Sequence, residues 1–156
     1  MTKVLLVCLG NICRSPMAEG ILRDLTKKNN IEIEIDSAGT GNSQIGQAPD
    51  PRSISTALQF GIDISHLRAR QFTVLDFKNF DIIYVMDHSN KADVLNLSRS
   101  SEDEKKVHLF LDLLPNNKSK DVPDPWFENL ESFKTVFHLL YSASENFVAQ
   151  YNSLKK

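Results

Sequence analysis

An apolar run near the N-terminus, Val4-Leu5-Leu6-Val7-Cys8-Leu9, is broken by Gly10-Asn11 and followed a few residues later by Pro16. The run is too short for a signal-peptide core or a membrane span, and a glycine-bounded apolar stretch of this length reads as a strand buried on both faces. We place that strand over Lys3–Val7. Pro16 suits the first turn of a helix, and Ala18, Ile21, Leu22 and Leu25 then recur at i, i+3, i+4 and i+7 before the polar Lys27-Lys28-Asn29-Asn30. A buried strand that runs through a short loop into an amphipathic helix is the first half of a βαβ unit. Strands and helices continue to alternate along the chain, which predicts an α/β fold on a parallel sheet.

Ile31, Ile33 and Ile35 alternate with Glu32, Glu34 and Asp36, the pattern of a second strand at an exposed sheet edge, closed by Gly39 and Gly41. Asp50-Pro51 supplies a helix cap and first helical residue, with Ile54, Ala57 and Leu58 on one face and Gly61 at the C-cap. Ile82–Met86 is the third strand, after which Asp87 or Ser89 caps a segment carrying Ala92, Val94, Leu95 and Leu97. Val107–Leu111 is the fourth strand. The stretch from Leu114 to Pro125 holds Pro115, Pro123 and Pro125 among polar residues and excludes regular structure; its length marks it as a functional loop. A last helix carries a stripe from Leu130 through Phe133, Val136, Phe137, Leu140, Tyr141, Ser144, Phe147, Val148 and Tyr151 to Leu154.

The 156 residues form a single domain, 1–156, with 41% hydrophobic residues to build its core. A formal net charge of -2 leaves no basic footprint for nucleic acid, and no segment suits a membrane. The N-terminal run, too short for a signal-peptide core or a span, indicates a cytoplasmic protein, and the two cysteines, Cys8 and Cys13, are too few for a disulfide scaffold and serve chemistry or packing. Neither a metal site nor a cofactor is indicated: a Cys-x4-Cys pair would have to find its other ligands among scattered histidines.

The chemistry lies in Cys8-Leu9-Gly10-Asn11-Ile12-Cys13-Arg14-Ser15-Pro16, at the C-terminal end of the first strand, where open α/β sheets place ligands. A Cys-x5-Arg loop at a helix N-terminus converges backbone N–H groups on an anion, and the Arg14 fork completes a phosphate cradle from residues 9–14 (Leu9, Gly10, Asn11, Ile12, Cys13, Arg14). Cys8 at its base sits in the same positive field, which favours a thiolate nucleophile, and Ser15 is placed to donate a hydrogen bond to the sulfur. Taken alone, the Cys-x5-Arg spacing arises easily by chance, and Cys8 would then be a small buried hydrophobe.

The whole nonapeptide, in its strand–loop–helix context, resembles the signature of the low-molecular-weight protein tyrosine phosphatase family. The resemblance continues in order through Asp36-Ser37-Ala38-Gly39-Thr40, Gly61-Ile62 with Ser65-His66, Met86-Asp87-His88-Ser89-Asn90 and Val122-Pro123-Asp124-Pro125. It implies a flavodoxin-like three-layer α/β fold, with a four-stranded parallel sheet in order 2-1-3-4. The implied reaction is hydrolysis of phosphotyrosine, or of small aryl phosphates, without a cofactor. Cys8 attacks phosphorus to give a phosphocysteine, Arg14 and the loop amides hold the equatorial oxygens, and Asp124 is the general acid and then the general base. Asn11, Ser37 and His66 match the family's loop-supporting network, although His66-Leu67-Arg68-Ala69-Arg70 is one residue longer than the family's His-x-Ala-Arg. Ile12, Trp126 and Phe127 make an apolar rim suited to an aromatic ring, where phosphoarginine-selective relatives carry Thr at the place of Ile12. Asp87 is expected to cap a helix and to have no catalytic role. Cys13 either packs or traps an oxidised Cys8 as a disulfide. A tyrosine kinase is the implied functional counterpart. An arsenate reductase would need resolving cysteines downstream, and none follows Cys13. A phosphate-binding module without turnover would not need both Cys8 and Asp124.

Overall fold

The computed structural model describes residues 1–154. The elements are β1 (Thr2–Cys8), α1 (Arg14–Lys28), β2 (Ile33–Gly39), α2 (Pro51–Leu58), α3 (Leu75–Asn79), β3 (Ile82–Val85), α4 (His88–Leu95), α5 (Ser101–Lys105), β4 (Val107–Leu109), a 3₁₀ turn (Phe110–Leu113) and α6 (Leu130–Leu154). The four strands pair in parallel in the order β2-β1-β3-β4, as expected. Residues of β1 point alternately to the two faces of this sheet. Val4, Leu6 and Cys8 enter the cluster shared with α1, α2 and α6, whereas Leu5 and Val7 pack with Phe72, Phe77, Val94 and Leu109 on the opposite side. Val4, Leu5, Leu6 and Val7 are all fully buried, so the apolar run reflects a strand covered on both faces.

The α2 cap forms as its sequence predicts. Asp50 Oδ1 accepts from the Arg52 amide at 2.8 Å and Pro51 opens the helix, while Gly61 takes a left-handed φ of 79° just beyond its end. Burial alone would raise the Asp50 pKa; the Arg52 side chain and amide outweigh it and hold the carboxyl below its ordinary value. Asp50 therefore stabilises the fold at neutral pH, and that contribution is lost as the pH falls through its depressed folded-state pKa. Asp50→Ala is expected to cost about 1 kcal/mol in urea unfolding at pH 7. The deficit should shrink on acidification below the carboxylate range; a deficit that grows there would contradict the assignment.

Several boundaries differ from the sequence expectation. Ile31 is buried but precedes β2, which starts at Ile33. β4 ends at Leu109, because Phe110–Leu113 tightens into the 3₁₀ turn. The short helices α3 and α5 have no counterpart in that expectation; α5 is announced only by Ser100, whose hydroxyl accepts from the Asp103 amide. Leu58, Leu97, Leu130 and Leu154 are exposed rather than part of apolar faces. For α6 the reason is length: its 25 residues extend about 37 Å at 1.5 Å each. The seven residues of β1 reach only about 23 Å, so the sheet is too short to cover the whole helix, and Leu130 and Leu154 at its ends stay exposed.

Candidate active site

β1 ends at Cys8 and α1 begins at Arg14, so residues 9–13 must turn the chain within five residues at the C-terminal edge of the sheet. Asn11 takes a positive φ of 57°, which lets the loop fold back until its own amide reaches the Cys8 sulfur at 3.3 Å. β2 supports this loop from beside. Thr40 and Gly41 donate their amides to the Cys8 and Leu9 carbonyls, each at 2.9 Å. The approach is close enough that a Cβ on Gly39 would lie 2.7 Å from Leu9 O and 3.0 Å from Asn11 N, which excludes any larger residue there. From the far side, the Asp50 amide donates to Ile12 O at 2.8 Å.

The polar side chains beneath the loop have their proton directions set by one backbone group. The Arg70 amide, which can only donate, contacts Asn11 Oδ1 at 3.0 Å, so the Asn11 NH₂ group must face Ser15 Oγ at 2.8 Å and Ser37 Oγ at 2.9 Å. Both hydroxyls therefore accept from Asn11. The Ser15 hydrogen is left for Cys8 Sγ at 3.1 Å, and the Ser37 hydrogen goes to Glu19 Oε1 at 2.6 Å. Glu19 is buried, and desolvation raises its pKa against the opposing pull of Ser37 and Arg23, the latter bonded to its second oxygen at 2.9 Å.

Arg14 is 2% exposed. Its Nη1 donates to Asp87 Oδ2 at 2.6 Å and to Val122 O at 3.0 Å, and its Nη2 lies 3.7 Å from Asp124 Oδ2. Burial alone would lower its pKa, yet the charges of Cys8, Asp87 and Asp124 and the Asp87 hydrogen bond raise it, so the guanidinium stays charged. With Nη1 committed, Nε and the remaining Nη2 hydrogens are the donors for an oxyanion. Asp124 reaches the site on the long loop, its Oδ1 accepting from the Trp126 amide at 3.1 Å. A cleft of ≈ 240 Å³ is lined by Cys8, Arg14 and Asp124, by the apolar Ile12, Trp126 and Phe127, and by Ser43 and Gln44. Phe127 is 92% exposed, so the outer rim is open to an incoming ring.

Cys13 lines the same cleft. Burial, reinforced by the charges of Asp50, Cys8 and Asp124, pushes its thiol up to about 12. It is therefore a neutral thiol at working pH. Both cysteines are unpaired.

His66 does not join the loop-supporting network. It is exposed and lines a separate groove with Gly20, Arg23 and Lys27 on the outer side of α1. The segment from His66 to Arg70 is anchored at its far end, where the amides of Ala69 and Arg70 donate to Gln47 O and Asn11 Oδ1, and the Ser37 hydroxyl bonds Glu19. Glu19 itself is absent from the residues that the sequence singles out, although an acidic residue between the core positions Ala18 and Leu22 is its signal. Asp87 caps α4 as its sequence predicts, with Oδ1 accepting from the Asn90 amide at 2.7 Å; its second oxygen, on Arg14, has no signal in the sequence.

A thiol, a buried guanidinium and a carboxyl meet in one cleft at the C-terminal edge of a parallel sheet, the set of groups that a cysteine-dependent phosphoric monoester hydrolase requires. The chain belongs to the low molecular weight phosphotyrosine protein phosphatase family, whose model matches residues 3–156. It is 42% identical over 154 residues to the low molecular weight phosphotyrosine protein phosphatase of Schizosaccharomyces pombe, covering 95% of this chain and 97% of that one. The Homo sapiens protein of the same description is 42% identical over 139 residues, covering 86% of this chain and 85% of that one. A solved protein tyrosine phosphatase from Entamoeba histolytica superposes with a TM-score of 0.93 at 32% identity, covering 100% of both chains. Members of the family use a cysteine-based mechanism on phosphotyrosine-containing substrates.

Proposed function

We propose that Cys8, Arg14 and Asp124 carry the phosphotyrosine phosphatase reaction in this chain, within one catalytic domain spanning 1–156. The observation that carries the assignment is their convergence on one cleft, with the Cys8 sulfur receiving only donors, from Asn11 N–H and Ser15 O–H. In the first step the Cys8 thiolate forms a bond to phosphorus as the bond to the phenolic oxygen breaks, and Asp124 delivers its proton to the departing phenolate. Arg14 and the loop amides stabilise the charge on the equatorial oxygens. In the second step Asp124, now ionised, takes a proton from a water that attacks phosphorus, and the thiolate leaves with its charge stabilised by Ser15. Ile12, Trp126 and Phe127 bracket the aromatic ring and favour phosphotyrosine over phosphoarginine.

Because Asp124 acts in both steps, its removal separates them. With p-nitrophenyl phosphate, whose leaving group needs little protonation, Asp124→Asn is expected to form the intermediate but to hydrolyse it slowly. kcat should fall about 10²-fold or more, and acid-quenched mass spectrometry should find Cys8 carrying a phosphoryl group in the steady state. A slow variant with unmodified Cys8 would remove Asp124 from the second step.

Two unpaired thiols fit a reducing compartment, and we place the protein in the cytoplasm on that ground. Among the described residues no helix is long and apolar enough to cross a membrane. A tyrosine kinase that phosphorylates the same substrates is the functional counterpart. Proximity of Cys13 to the catalytic sulfur supports a protective disulfide after oxidation of Cys8.

A further inference from the structure

We propose that Arg52 is a positioning residue for the general acid. Its guanidinium brackets the Trp126–Glu128 turn and, through the Trp126 amide, holds the Asp124 carboxyl over the phosphate loop. The proposal rests on the reading of Asp124 as the acid.

Asp124 has the least support among the reacting groups. Cys8 ends a buried strand and Arg14 opens a buried helix, whereas Asp124 lies on a segment without regular structure and its side chain is 43% exposed. Before it, the loop is pinned by Val122, whose amide donates to Met86 O at 2.8 Å and whose carbonyl accepts from Arg14. After it, Arg52 provides the anchor. Arg52 Nη2 donates to Trp126 O and Nη1 to Glu128 O, each at 3.0 Å. The Trp126 backbone is thus held on both sides of its Cα: its carbonyl accepts from Arg52, and its N–H donates to Asp124 Oδ1 at 3.1 Å.

The bracket is itself fixed on both edges and on one face. Nε and Nη2 donate to Asp50 Oδ1 and Oδ2, each at 3.0 Å, in the two-pronged geometry available to a guanidinium and not to an ammonium. The Arg52 Cζ lies 4.4 Å from the centroid of the fully buried Phe133 ring and 5.9 Å from that of Trp126. The Asp50 amide, in turn, donates to Ile12 O in the phosphate loop. A continuous path therefore runs from Ile12 through Asp50, Arg52 and Trp126 to Asp124, tying the acid to the loop that holds the phosphoryl group. An exposed ion pair alone would contribute little. Here one side chain sets two carbonyls beside the acid, and a displacement of the carboxyl by about 1 Å is enough to cost a large factor in rate.

The test uses the dependence of kcat/KM on the leaving group, because a displaced acid hurts only substrates whose phenolate needs a proton. Arg52→Ala and Arg52→Lys are compared with wild type and Asp124→Asn on p-nitrophenyl phosphate, phenyl phosphate and a phosphotyrosine peptide. We expect both Arg52 variants to lose about tenfold or more on phenyl phosphate and phosphotyrosine and no more than about threefold on p-nitrophenyl phosphate. In the Asp124→Asn background the same substitutions should steepen the dependence no further. Equal losses on all substrates would mean that Arg52 acts on stability or binding alone, and would overturn the proposal. A flat dependence in Asp124→Asn would instead remove the acid itself, and the proposal with it. Arg52→Lys keeps the positive charge beside Asp50 and Phe133 while losing the two-pronged fork, so a folded variant remains should Arg52→Ala be unstable.

Discussion

Cys8→Ser is expected to lower kcat by a factor on the order of 10⁵ while phosphate still binds. The magnitude follows from what surrounds position 8. The sulfur meets the Asn11 backbone N–H, which can only donate, at 3.3 Å, and the Ser15 hydroxyl at 3.1 Å, which the proton directions beneath the loop make a donor as well. Donors stabilise an anion but cannot take a proton, so a serine hydroxyl in this place has no base to activate it. The cradle, meanwhile, is built by Arg14 and backbone groups that the substitution leaves alone. Removing a thiolate from beside a bound anion also removes a repulsion, so the affinity for inorganic phosphate should be unchanged or higher. Steady-state assays with p-nitrophenyl phosphate and calorimetric titration with phosphate check the two halves separately. Residual turnover above a tenth of wild type would rule out covalent catalysis by Cys8.

Arg14→Lys keeps the positive charge and is expected to lose about 10³-fold in kcat/KM. Arg14 binds in two directions at once. Nη1 is spent on Asp87 and Val122, which fixes the plane of the guanidinium so that its other N–H groups can engage an oxyanion. A single ammonium cannot satisfy the Asp87 carboxylate and present a planar fork to phosphate together. Asp87→Ala should reproduce part of the loss, on the order of tenfold, because Arg14 Nη1 then keeps only the Val122 carbonyl. The measurement is kcat/KM for phosphotyrosine peptide in both variants. An Arg14→Lys enzyme within tenfold of wild type would show that charge, and not the fork, is what the site requires.

Those parts of the site that lie together in the chain are legible in the amino-acid sequence. Cys8 to Ser15 is one strand end, one loop and one helix start, so its conformation is set by neighbours a few residues away: Asn11 accepts a left-handed backbone and the helix begins at Arg14. Asp124 is reached only through the family resemblance, since Asp-Pro by itself is an ordinary turn. The trimmed ends of the helical stripes, at Leu58, Leu130 and Leu154, show the limit of periodicity, which marks a helix face but not how far the sheet extends beneath it.

His66 marks a limit of another kind. The residue type and its neighbourhood match the family, yet the segment before Arg70 is one residue longer, the imidazole is exposed, and Ser37 donates to the buried Glu19.

By itself the sequence determined the parallel α/β architecture and the strand–loop–helix that carries Cys8 to Ser15, because strand burial and helix periodicity are local properties of the chain. The reading of that loop as an anion cradle rests on the family resemblance of the whole nonapeptide. Only the tertiary structure decided what holds the reacting groups in register. Asp87 meets Arg14 across 73 residues and Val122 meets it across 108, while Arg52 reaches Trp126 across 74. Hydrogen bonds of that range depend on where separate elements come to rest against one another, and sequence periodicity does not encode them.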